Sequence, residues 1–196
     1  MFQIARETVE DGLEVEYLYD LAFAPGRSAL SSYRLREGVE PVEGLSLVAR
    51  DEFGAVAGAI RYWPVVVGSD GHECLLLGPI AVHPTRQGEG LGALLIGESL
   101  ERARLAGWTR AILVGDEPYY RRFGFSRRVA TALRYPPPTN PERVLGRELF
   151  PGAFADVTGE VRSWTTDNKL HRHALRAQPI QLPFPTVRGR TVFGTS

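Results

Sequence analysis

Apolar and polar positions alternate along this chain with two different periods, and the switches between them outline its elements. Phe2 to Arg6 alternates like a short strand. Asp11-Gly12-Leu13-Glu14 then offers a helix start, and Leu13, Tyr17 and Leu21 fall on one face, which predicts a first helix. Pro25-Gly26 breaks it, and Ser28 to Arg36 carries a second helical segment ending near Gly38. Leu45 to Arg50, Val56 to Val67 and Cys74 to Val82 read as three strands of an antiparallel meander, joined at Asp51-Glu52-Phe53-Gly54 and Gly68-Ser69-Asp70-Gly71. A helix from about Leu91 to Leu105 is expected to bury Leu94, Leu95 and Ala103 and to stop at Gly107. Ala111 to Val114 is a fifth strand. A helix joins it to the strand ending at Val82, so the two are expected to lie parallel in one sheet.

Arg134 to Pro141 is proline-rich and reads as a stiff, extended connection, and Leu145 to Val161 is expected to supply a last strand pair around the loop signal Pro151-Gly152. The fold class is therefore α/β, a mixed and mostly antiparallel sheet flanked by helices over residues 1–164. From Thr165 the chain turns polar, then places Ile180, Leu182, Phe184, Val187 and Val192 among prolines. This extension, 165–196, is expected to dock on the subunit's own sheet edge or on a second copy in a homodimer.

The densest chemical signal is Leu75 to Leu95, LLLGPIAVHPTRQGEGLGALL, where an apolar strand runs through a glycine-spaced turn into a helix. Gly88, Gly90 and Gly92 let backbone N–H groups approach an anion and converge with the unpaired donors of the helix start, which makes a pyrophosphate cradle without a lysine. A P-loop would need Gly-Lys-Ser/Thr, but Ala93 and Leu94 follow Gly92. Gly88 to Ala93 does satisfy the dinucleotide fingerprint G-x-G-x-x-A, with Asp116 downstream. That turn, however, leaves its strand almost at once, whereas His83 to Gln87 intervene here. Earlier in the same strand, Leu77-Gly78-Pro79 predicts a bulge, since proline cannot donate to a ladder.

Composition narrows the setting. With 196 residues and 43% hydrophobic content, the chain suits one domain with a sizeable core. Its 23 basic residues balance 23 acidic ones, so no global field favours nucleic acid or an anionic membrane. Cys74 is the only cysteine and sits in an apolar run, which excludes an internal disulfide and points to a buried structural thiol. The N-terminal stretch has neither a basic leader nor an apolar h-region, and no later stretch approaches a membrane span, so a cytoplasmic protein is expected. His171 and His173 have no third ligand nearby, so no metal site is expected.

Gln87, Gly90 and Gly92 also satisfy Q-x-x-G-x-G, which resembles motif A of the GNAT-type N-acetyltransferases. Gly115-Asp116-Glu117-Pro118-Tyr119-Tyr120-Arg121-Arg122-Phe123-Gly124-Phe125 looks like that family's second motif, in which a tyrosine stands four residues before Gly-Phe. The resemblance is to the YhbS-like branch. It extends from Arg27 and the run Arg34-Leu35-Arg36-Glu37-Gly38 to about Trp164. It implies a GNAT fold whose two parallel strands splay apart, acetyl-CoA as co-substrate, and transfer of its acetyl group to a primary amine of a small molecule or peptide. A non-catalytic acyl-CoA sensor is the alternative.

On that reading Gln87, Gly88, Glu89, Gly90, Leu91, Gly92 and Ala93 hold the pyrophosphate, with the Glu89 side chain turned to solvent and Arg86 available to add charge. Backbone groups of Ile80 and Val82 bind the pantetheine arm, and an N–H at Ile80 or Ala81 polarises the thioester carbonyl. Tyr120 protonates the departing thiolate, helped by a nearby helix N-terminus, with Tyr119 as the rival by adjacency. Asp116 and Glu73 are candidates for the general base, though Asp116 equally suits a helix N-cap, and His83 reads as a loop residue.

Overall fold

The computed structural model describes residues 2–23 and 26–164. The C-terminal extension, with Lys169, His171 and His173, lies outside the described residues. In chain order the elements are β1 (Gln3–Arg6), α1 (Gly12–Phe23), α2 (Ser31–Arg36), β2 (Leu47–Arg50), β3 (Val56–Val67), β4 (His72–Val82), α3 (Leu91–Leu105), β5 (Arg110–Val114), α4 (Glu117–Tyr120), β6 (Leu133–Arg134), β7 (Val144–Glu148) and β8 (Gly159–Ser163). The sheet runs β1-β2-β3-β4-β5-β7, antiparallel throughout except for the β4/β5 pair. β8 continues the edge of β3 beyond β2 and also pairs with β6.

Both faces of the sheet are covered, which is why β3 and β4 read as near-continuous apolar runs. On one face α3 buries Leu91, Leu95, Ile96, Leu100 and Ala103 against Leu47, Ile60, Tyr62 and Leu75. On the other, α1 inserts Val15, Leu18 and Tyr19 against Val48, Ala59 and Ala81, while Leu35 of α2 packs with Trp63 and Leu76. Cys74 is fully buried there, and burial pushes its thiol up to about 12.

The apolar spacing of α1 pointed to a real face, but it is the outer one: Leu13, Tyr17 and Leu21 are 89%, 66% and 42% exposed. The helix is apolar on more than one side, and polar anchors decide its rotation. Buried Asp11 pairs with Arg50, Glu14 accepts from the Val56 N–H at 2.8 Å, and Arg61 of β3 binds both Glu7 and Glu16 while lying over the Tyr19 ring. Leu94 is likewise half exposed, one position off the buried stripe of α3. Residues 145–161 do supply two strands, but they do not pair with each other: β7 pairs with β5 and β8 with β3 and β6. The intervening loop carries the chain from one side of the sheet to the other.

β8 matters to the site because β6, its partner, leads directly into residues 135–143, which roof the cavity described below. Where β8 meets β3, two glycine backbones touch. A Cβ built on Gly68, whose φ is +71°, would lie 2.3 Å from the Thr158 carbonyl oxygen, and Arg162 donates to the Gly68 carbonyl at 2.6 Å. Gly68→Ala is therefore expected to destabilise the fold by about 2–4 kcal/mol, through positive-φ strain and the backbone collision together. Urea unfolding at neutral pH checks this. A midpoint equal to that of the parent chain would mean that the β3/β8 crossing relaxes freely.

Candidate active site

The site begins where two parallel strands stop pairing. β4 and β5 are in register only at Leu75/Ala111 and Leu76/Ile112. Beyond that point β4 keeps β3 and β5 keeps β7, but they lose each other. Two residues of β4, Gly78 and Pro79, stand opposite the single Arg61 of β3 between the Ile60/Ile80 and Tyr62/Leu77 pairs, so the expected bulge is present and bends β4 away. A cavity of about 470 Å³ fills the wedge, floored by Leu76 to Ile80 and by Leu113 and Val114, with Tyr120 at its side.

The freed edge of β4 has a defined polarity. The His83 N–H bonds the Ala57 carbonyl, so by the alternation of an antiparallel ladder Ala81 also points to β3, while Ile80 and Val82 point to the open edge. Of the two N–H groups expected to face the thioester, that of Ile80 points to the open edge and that of Ala81 is committed to β3.

The glycine turn follows. The short helix Pro84–Arg86 is capped by His83, whose Nδ1 accepts from the Thr85 N–H at 3.3 Å, and Gly88 and Gly90 adopt φ values of +86° and +81°. Gly90 is the N-cap of α3, and no side chain caps it. Among the described residues, none of the backbone N–H groups from Gly88 to Ala93 is bonded to an intrachain acceptor. A Cβ on Gly88 or Gly90 would meet nothing within 4 Å, so the space above the turn is open. Gln87 and Glu89 are exposed there, whereas the Leu91 side chain anchors the helix start in the core. Converging free N–H groups on a fifteen-residue helix N-terminus can hold a phosphate. Arg86 is not free to help: it is engaged by Asp51 at 3.0 Å, Glu52 at 3.6 Å and Glu89 at 3.9 Å.

The two adjacent tyrosines face different ends of this site. Tyr119 sends its hydroxyl to the start of α3, 3.1 Å from where a Cβ on Gly92 would stand. Tyr120 lines the cavity, its ring edge-on to Tyr119 and Phe125. Gly115 makes room for it, since a Cβ there would fall 2.3 Å from Tyr120 Cε2. Burial, followed by the neighbouring Tyr119 and Asp116 and opposed by Arg143, pushes the Tyr120 phenol up to about 12. The expectation that a helix N-terminus lowers it fails because Tyr120 is the last residue of the four-residue α4.

Neither candidate base enters the cavity. Glu73 is at the opposite end of β4, and Asp116, at the N-cap of α4, pairs with Arg143 at 3.2 Å. Among the described residues, no carboxylate or histidine lines the cavity, and no cluster is placed to hold a metal. The proline-rich 135–143 segment supplies Tyr135, Thr139 and Asn140 as its roof, tied to α2 by a 2.6 Å contact between the Ser31 and Thr139 hydroxyls and by Arg34 donating to the Pro137 carbonyl. α2 supplies Tyr33 and Arg36. Sequence reasoning assigned these five side chains no role; the run holding Arg36 was singled out, but helical periodicity alone does not say which arginine turns inward.

The sequence profile described as the acetyltransferase (GNAT) domain matches residues 43–127. Over 117 residues, 60% of this chain and 70% of its counterpart, the chain is 32% identical to the uncharacterized N-acetyltransferase YhbS of Escherichia coli K12. It therefore belongs to the GNAT family of acetyltransferases. The crystal structure of E. coli YhbS in complex with CoA matches with a TM-score of 0.72 and 29% identity, over 83% of this chain and 89% of that one. A GNAT family acetyltransferase from Brucella melitensis in complex with acetyl-CoA matches with a TM-score of 0.62 and 30% identity, over 85% and 97%. Among the described residues no helix is long and apolar enough to cross a membrane.

Burial also raises the phenols of Tyr19, Tyr62 and Tyr135. Below pH 10 these groups and Tyr120 are protonated in both folded and unfolded chains and leave stability unchanged. From pH 10 towards 12 the unfolded chain loses phenolic protons that the folded chain keeps, so stability should fall as pH rises, by up to about 1.4 kcal/mol per pH unit for each phenol. Tyr120→Phe should reduce that slope. Denaturant unfolding between pH 9 and 12 measures it, and a flat profile above pH 10 would contradict the burial argument.

Proposed function

We propose that the protein is an acetyl-CoA-dependent N-acetyltransferase that moves an acetyl group to a primary amine of a small molecule or peptide. One observation carries the reading: a parallel strand pair opens into a cavity whose one flank ends in a free-N–H glycine turn and whose other flank bears a protonated tyrosine. The relatives described with CoA and with acetyl-CoA support it. Acetyl-CoA supplies an activated acyl group on a good leaving thiolate.

In this reading residues 1–164 form the catalytic unit. The N–H groups of Gly88 to Ala93, with Gln87, hold the pyrophosphate without needing a cation. The outward backbone groups of Ile80 and Val82 accept the pantetheine arm as an added strand, and the Ile80 N–H faces the carbonyl oxygen as negative charge builds there. The amine nitrogen attacks that carbonyl, the carbon–sulfur bond breaks, and Tyr120 hydrogen-bonds to the sulfur as charge develops. A phenol near 12 is about 3.5 units above a thiol of ~8.5, so complete transfer on its own is uphill by roughly 5 kcal/mol. The proton leaving the attacking nitrogen offsets this by restoring the phenol. An ammonium of pKa ~10.4 also has to lose a first proton, roughly 4–5 kcal/mol at pH 7. With no carboxylate lining the cavity among the described residues, the ammonium gives that proton to solvent and the neutral amine is the form that attacks. The same absence is what favours a non-catalytic acyl-CoA sensor as the second reading. Thiol release from acetyl-CoA with a panel of amines separates the two, since tight binding without turnover of any amine selects the sensor.

Three substitutions test this reading. Gly90→Val places a branched side chain at φ +81° in the anion's path, so affinity for CoA and dephospho-CoA should fall together by about tenfold or more, with a stability loss of only about 1–2 kcal/mol. Calorimetric titration of the folded variant checks this, and unchanged affinity removes the turn from the phosphate site. Tyr120→Phe should lower kcat by ~10² or more while leaving acetyl-CoA affinity nearly unchanged, and Tyr119→Phe should do much less. Stopped-flow acetyl transfer, where chemistry limits the rate, is the measurement. Full activity of the Tyr120 variant ends its role as acid.

A further inference from the structure

Arg36 is a charge placed in the cavity without a counter-charge among the described residues. Its Nε is wholly enclosed and has no hydrogen-bond partner, and among the described residues its guanidinium makes no ion pair. It lies between the rings of Tyr33 and Trp63, 4.9 and 4.7 Å from their centroids. Nη2 reaches the bulge of β4, at ordinary contact distance, 3.6 Å, from where a Cβ on Gly78 would be.

Neighbouring arginines are treated differently. Arg27 has Glu16 and Asp20, Arg61 has Glu7 and Glu16, and Arg143, which also lines the cavity, has Asp116. A partly buried guanidinium left without an acid is costly, and stacking on two rings offsets only part of that cost. Burial already biases Arg36 away from its charged form, and an anion entering the cavity reverses that bias.

Resting on the acetyltransferase reading, we infer that the acceptor is an amine that also bears a carboxylate, an amino acid or similar small amino-carboxylate, and that Arg36 binds the carboxylate. The planar guanidinium fork matches a carboxylate. One uncompensated positive charge balances one carboxylate, whereas a phosphate monoester would bring a second negative charge for which the lining, among the described residues, holds no further free cation. A cavity of about 470 Å³, shared with the acyl end of the co-substrate, suits a small molecule better than a segment of folded protein. Tyr33 is a positioning residue: its hydroxyl accepts from Arg27 at 2.6 Å, which fixes the ring under Arg36.

The test uses the full chain and matched acceptors: free amino acids, their primary amides, and the amines lacking the carboxyl group. Two readouts run in parallel, thiol release from acetyl-CoA and the thermal shift produced by each compound with CoA present. The carboxylates are expected to show a KM at least about tenfold below their matched partners, as a charge-assisted pair implies. Arg36→Met should abolish the preference while keeping acetyl-CoA affinity and the melting midpoint. Arg36→Lys should restore part of it. Carboxylate-dependent shifts without turnover keep the Arg36 subsite and overturn the enzymatic reading. Turnover with no carboxylate preference overturns the subsite and keeps the enzyme. Arg36→Met lowering kcat equally for every amine, or no carboxylate binding to the parent chain, also overturns it.

Discussion

Everything at the site depends on β4 having two different neighbours along its length. On the β3 side its pairing runs from His72/Val67 to Val82/Gly58, interrupted only by the bulge. On the β5 side it lasts for two register positions. A sheet that pairs fully on one edge of a strand and briefly on the other is pinned at its centre and open at one end, and that opening is the cavity. The bulge at Gly78 and Pro79 supplies the bend, the strand's end runs through the 84–86 helix and the glycine turn into α3, and α4 begins just past the end of β5. The glycine turn and Tyr120 are thus placed by the ends of the same two strands whose separation creates the space between them.

Two layers keep the wedge from collapsing. Behind it, α3 packs Leu91, Leu95 and Ile96 into the larger core, so the free N–H groups of its first turn sit on a rigid base. In front, α1 and α2 are secured by side-chain ion pairs as well as by apolar packing. Arg61 joins β3 to Glu7 and Glu16, and Arg27 joins Glu16 and Asp20 to the Tyr33 hydroxyl. These groups are partly screened from water, where such pairs are stronger than at an exposed surface. They orient the helices that wall the cavity, and the roof formed by residues 135–143 rests on α2 and on the β6/β8 pairing.

Where local chemistry dictates structure, the sequence was sufficient. The bounds of α3 follow from glycine on both sides of an amphipathic run, the meander from apolar runs separated by Asp/Gly turns, and the β4 bulge from a proline that cannot donate. The glycine turn was legible for the same reason. Choices made by tertiary contact were not. Whether α1 turns Leu13 or Val15 inward is settled by Arg61 and Arg50 on distant strands. The partners of β7 and β8 are settled by the path of the chain over the sheet. The environment of Tyr120 reflects Gly115, Phe125 and the enclosed cavity rather than the nearby helix start. Arg36 was the hardest residue to see, because amphipathic patterning places arginine outside and nothing local marks the one that turns into the cavity.

The cationic members of the clamps around the cavity, Arg27, Arg50 and Arg61, are all guanidinium groups, and in the whole chain of 23 basic residues the only lysine is Lys169. A guanidinium keeps its proton at any physiological pH and, unlike an alkylamine, has no free neutral fraction to attack a thioester. These ion pairs are consequently inert towards activated acyl groups. An acyl donor held in the wedge leaves these guanidinium groups unmodified, and the ion pairs that orient the walls persist however much reactive thioester surrounds the protein.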